Sequence, residues 1–85
     1  MKPNDALKQQ FQEILNNQLK NNDPPEVKQT LDRLKKEGYS DADARILIAQ
    51  CVAAEIFNVL KSNKPYDNER YVRNLHKLPE SPSED

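Results

Sequence analysis

The sequence predicts an all-α protein, a small four-helix array built around one central helix, and three observations carry that expectation. Apolar residues recur at alternating spacings of three and four in separate segments, no stretch alternates with the two-residue period of a strand, and Gly38 and the prolines fall between the periodic segments. Gly38 is the chain's only glycine and stands between a polar helical pattern and the one strongly apolar stretch, Ala44 to Leu60. Eighty-five residues allow one domain, and a chain of this length buries only about 60% of the surface that its unfolded form exposes. Apolar residues make up 35% of it, so the core must be small and concentrated, and a second copy could supply what one chain lacks.

The first helix is expected from Asn4 to about Asn21, where Leu7, Phe11, Ile14, Leu15 and Leu19 form one stripe and Asn4 or Asp5 can cap the start. Asp23-Pro24-Pro25-Glu26 ends it and begins the second, because proline is tolerated in a helix's first turn but not in its interior; Asp23 is the expected N-cap. Val27, Leu31 and Leu34 form the inward stripe of the second helix, Lys35 and Lys36 suit its carbonyl end, and Gly38 closes it with a left-handed C-cap.

Ser40-Asp41-Ala42-Asp43 supplies a capping hydroxyl and two carboxylates, so a third helix is expected from Asp41 to about Lys61. At 100° per residue its apolar side chains fall on two arcs. One holds Ala44, Leu47, Ile48, Cys51, Val52 and Val59; the other holds Ile46, Ala49, Ala53, Ile56, Phe57 and Leu60. A helix that is apolar on two flanks is expected to be enclosed on both, its second arc either completing the core or docking a partner. Ile46, Ala49, Ala53, Ile56 and Leu60 are the candidate interaction residues, with the small Ala49 and Ala53 allowing a close approach. Asn63-Lys64-Pro65 breaks this helix, Asp67 can cap a fourth from Asn68 to Leu78 with Tyr71, Val72, Leu75 and Leu78 inward, and Pro79 stops it. Residues 1–79 therefore read as one helical domain and the acidic, Ser- and Pro-containing residues 80–85 as a disordered tail.

Asp23-Pro24-Pro25-Glu26-Val27, Arg33-Leu34, Gly38-Tyr39-Ser40, Ala44, Ile48, Glu55-Ile56, Pro65-Tyr66-Asp67, Tyr71, Leu75 and Leu78-Pro79 together resemble a family of small bacterial all-helical proteins of unknown function. The resemblance spans roughly residues 14 to 79 and implies an all-α fold and no particular activity. In such proteins the segment after the serine cap often carries histidines, which would suggest a metal; here Asp41 to Leu47 contains none, so no metal is expected.

Several residues could carry chemistry, and each also has a structural reading. Glu55 sits in the middle of the first apolar arc and needs a partner or a raised pKa; Arg33, Arg70 and His76 are the candidates, and an ion pair outweighs a site acid. Arg70, Arg73 and Lys77 share one face of the fourth helix with His76 alongside, an arrangement able to contact phosphates. The acidic tail and the small number of cations favour an ordinary solvated face instead. The two-helix unit around Gly38 is arranged like a helix-turn-helix, but Asp41 and Asp43 would face phosphates of the same sign. The same loop, with Tyr39 after the glycine, is also similar to that of ubiquitin-associated three-helix modules, although C-cap followed by N-cap accounts for it. Cys51 reads as a small core residue, and Tyr66 and Tyr71 as anchors of the fourth helix with hydroxyls reaching water.

No catalytic triad, paired-carboxylate spacing, phosphate loop or dinucleotide fingerprint is present, and one cysteine with one histidine cannot form a four-ligand zinc site. The sequence is thus read as a non-enzyme without a cofactor. With no basic-then-apolar leader, it is expected to be soluble and cytoplasmic. The expected function is protein–protein interaction or self-association, as in a homodimer, with anion or nucleic-acid contact by the fourth helix as the alternative.

Overall fold

The computed structural model describes residues 3–80, with side chains from residue 9 onward, and in it the chain forms four α-helices and, among the described residues, no strand. They are α1 (Pro3–Asn21), α2 (Pro25–Lys36), α3 (Asp41–Ser62) and α4 (Asn68–Lys77). This is the all-α, four-helix array that the spacing predicts. The Leu7 side chain of the first stripe and residues 81–85 of the expected tail lie outside what is described.

The connections follow from local chemistry. After α1, Asn22 takes a left-handed conformation (φ 51°), and the Asp23 and Asn22 N–H groups donate to the carbonyls of Gln18 and Leu19 at 3.0 and 3.3 Å. After α2 the same device recurs with Gly38 (φ 109°): Tyr39 N–H donates to Leu34 O and Gly38 N–H to Lys35 O, both at 3.1 Å. These paired bonds satisfy carbonyls that the helix end would otherwise orphan. Ser40 caps α3 by accepting from the Asp43 N–H at 3.0 Å, and Asp67 caps α4 by accepting from the Arg70 N–H at 3.1 Å, as expected. Two caps differ from expectation. The N-cap of α2 is Pro24, without a side-chain bond, so Asp23 does not serve; and α1 already includes Asn4 and Asp5, so neither is its N-cap.

The core joins all four helices: Leu15 from α1, Val27, Leu31 and Leu34 from α2, Ala44, Ile48, Cys51 and Val52 from α3, and Tyr71, Leu75 and Leu78 from α4 and its end. α3 packs on each of the other helices, as does the shorter α2. The first arc of α3 faces the core, with Ala44, Ile48, Cys51 and Val52 buried and Leu47 and Val59 half-buried. Ala49 is buried and Ile56 packs partly against the core, but Ile46, Phe57 and Leu60 are 52%, 66% and 74% exposed. The expectation that both flanks are covered is therefore corrected for the single chain: α1, α2 and α4 together lack the surface to wrap a 22-residue helix on every side.

Candidate functional site

Two features of α3 are candidates for function, one on each flank. On the enclosed flank Glu55, 4% exposed, is held from α4. Arg70 donates from Nε to Glu55 Oε2 at 2.7 Å and from a terminal nitrogen to Oε1 at 3.1 Å, and the Asp67 backbone N–H lies 3.4 Å from Oε1. This forked pair fixes the start of α4 against α3, where the partial positive charge of a helix N-terminus also favours a carboxylate. The bond to Glu55 raises the affinity of the Arg70 guanidinium for its proton. Of the three candidate partners only Arg70 is used. Arg33 instead donates to the carbonyls of Leu75 and Leu78 at 3.1 Å each and to Glu37 at 2.8 Å, which clamps α2 to the end of α4.

That assignment revises the basic face of α4. Arg70 is committed to Glu55, so it is not available to an anion beside Arg73 and Lys77, which are exposed. His76 is also exposed and borders a shallow recess of about 280 Å³ with Gln29, Thr30 and Arg33, away from Glu55's partners. No three His, Cys, Asp or Glu side chains among the described residues stand close enough together to hold a metal ion.

Cys51 is fully buried, and burial, reinforced by the nearby Glu55 charge, pushes its thiol up to about 12, the opposite of what a nucleophile needs. Tyr71 is 1% exposed and donates to Gln18 Oε1 at 2.7 Å, so its hydroxyl does not reach water as expected. Tyr66 remains half exposed, packs edge-on against Tyr71 and bonds Asn68, and burial pushes its hydroxyl up to about 12. Nδ2 of buried Asn58 finds no partner among the described residues.

The open flank has a different character. Ile46, Gln50, Ala53, Phe57 and Leu60 follow one another at spacings of four, three, four and three, a straight seam along α3. The expected set 46, 49, 53, 56, 60 is thus divided: Ile46 and Leu60 face outward, Ala53 is half-buried, Ile56 packs partly against the core, and Ala49 is 9% exposed and lines a groove beside α1. Phe57, on the second arc but outside that set, is the largest exposed side chain of the seam. The signal for it is the four-three register through position 57, which lies 20° from Ile46 on the helix.

Beside the N-terminal half of this seam, residues of α1 and α3 line a groove of about 650 Å³. Phe11, Ile46, Ala49 and Ala53 give it apolar walls, and Gln12, Arg45 and Gln50 are among its polar borders. Arg45 is held there by Asp41 at 2.8 Å and Asn16 at 2.7 Å, and its bond in turn holds the Asp41 carboxyl below the usual range. No described helix is long and apolar enough to cross a membrane. The chain matches no protein-family model, no curated protein and no solved structure.

Proposed function

We propose that this protein is a protein–protein interaction module whose docking surface is the outward seam of α3 together with the groove between α1 and α3. The observation that carries the reading is the exposure of three large apolar side chains, Ile46, Phe57 and Leu60, on one face of one helix. Single exposed apolar residues are ordinary on soluble proteins; an aligned set beside an apolar groove is the composition of a binding face. The rest of the chain supports the same assignment. The buried carboxylate is consumed by an ion pair, the thiol is held protonated, and one cation of the α4 face is taken up inside.

The test is photo-crosslinking in the native cell. A photoreactive phenylalanine analogue replaces Phe57 or Leu60 in the full chain, with exposed Lys28 of α2 as the control position. Adducts at 57 and 60 and none at 28 are expected. Absence of adducts at 57 and 60, or equal labelling at 28, contradicts the proposal.

A further inference from the structure

The docking face is self-complementary about Ala53, and we infer that its occupant is a second copy of this chain, paired antiparallel along α3. This inference rests on the docking reading above. Phe57 and Leu60 are projections four and seven residues after Ala53; Ala49 and Ile46, in the groove, lie four and seven residues before it. At 1.5 Å per residue these offsets are about 6 and 10 Å in each direction. A two-fold axis through Ala53 therefore sets Phe57 over the partner's Ala49 and Leu60 over the partner's Ile46, and does so twice. Projection meets groove at both ends, while the small Ala53 side chains let the helices approach at the centre.

Charge selects the same orientation. α3 begins with Asp41 and Asp43 and ends with Lys61, followed by Lys64. Asp43 lies ten residues before the centre and Asn63, between the two lysines, ten residues after it. Antiparallel pairing thus brings the acidic start of each α3 beside the basic end of the other, on the flank that Asp43 and Lys61 share, and it aligns the helix dipoles favourably. A parallel pair would place like charges together at both ends. Arg45 lies on the opposite flank, turned to Asp41 and Asn16 of its own chain.

The available area sets the strength. With Phe57 at 66%, Leu60 at 74% and Ile46 at 52% exposure, each copy offers roughly 400 Å² of apolar side chain, the size of the largest patch on an ordinary monomer. Two such patches bury on the order of 800–1,000 Å² in all, the low end for specific association. An interface of this size belongs to weak, reversible pairs.

Sedimentation of the full chain from about 5 μM to 1 mM reads this directly. Reversible dimerisation is expected; Phe57→Asp should weaken it at least tenfold while leaving the circular dichroism unchanged. Asp43→Lys should weaken it several-fold, and adding Lys61→Glu should restore it. Under mild oxidation Ala53→Cys should form an intermolecular disulfide, being next to its own copy at the axis, whereas Leu60→Cys should not; the buried Cys51 stays out of the exchange. Equal cross-linking at 53 and 60 overturns the antiparallel arrangement, and a dimer indifferent to Phe57→Asp overturns the face. A chain that stays monomeric to 1 mM overturns self-pairing, and the docking reading then stands or falls on whether the Phe57 photo-adducts contain a different protein.

Discussion

Arg70 and Glu55 form a bond whose two halves have unequal consequences when removed alone. Arg70→Met leaves a carboxylate that is 4% exposed with only the Asp67 N–H near it, a stranded charge inside the fold. Breaking a buried pair from one side destabilises strongly, whereas replacing both members by apolar residues is often close to neutral. Arg70→Met should lower the melting temperature by on the order of 10 °C, and Glu55→Met/Arg70→Met should recover most of that loss. Equal losses in single and double variants, read by thermal circular dichroism, would contradict the pairing. Cys51 gives a second prediction at this scale. Its thiol, raised from an ordinary 9.0 to about 12 by burial and then by Glu55, is neutral in the fold and ionises earlier when unfolded. Its contribution to stability is thus complete below about pH 9 and is lost as pH rises from 9 towards 12. Urea unfolding midpoints should fall across that window, less steeply in Cys51→Ala, and a thiol reagent at pH 8 should label the unfolded chain at once and the native chain only as it opens.

α3 bears two faces that should respond oppositely to the same truncation. Ile48 is fully buried between neighbouring helices, so Ile48→Ala should cost about 2–5 kcal/mol by leaving a cavity; Leu60, 74% exposed, should change stability by less than about 0.5 kcal/mol in dilute solution. Denaturant titration of the two variants at low concentration checks this, and similar losses would mean that the seam belongs to the core. The contrast also shows what the sequence made legible. The helices, the Ser40 and Asp67 caps and the Gly38 closure are local devices, and spacing with capping chemistry was enough to place them. Asn22 performs Gly38's task after α1 and was missed, because asparagine marks a left-handed position less distinctly than glycine. Periodicity located both apolar arcs of α3. It could not say which of them the other three helices would cover, because that depends on their lengths and crossings. For the same reason the sequence offers Arg70 both as a partner of Glu55 and as part of an outward basic face, and the packing of α4 on α3 decides for Glu55.

At the scale of the molecule, the radius of gyration of 12.5 Å is close to the roughly 12 Å expected of a compact chain of this length, so the exposed seam is not the mark of a loose or partly opened fold. The chain closes one core with the first arc of α3, the clamp of Arg33 on the end of α4 and the fork of Arg70 on Glu55, and leaves Ile46, Phe57 and Leu60 of the second arc outward. A compact body with an aligned apolar seam, acidic at one end and basic at the other, is the form expected of a small reversible pairing unit. The most direct measurement of this account is a dilution series followed by amide and methyl NMR, from about 1 mM to 10 μM, on the labelled full chain. Concentration-dependent shifts are expected at Phe11, Ile46, Ala53, Phe57 and Leu60, with the core signals of Val27, Leu34 and Leu75 unmoved. Shifts centred on α2 or α4, or spectra identical at every concentration, would contradict it.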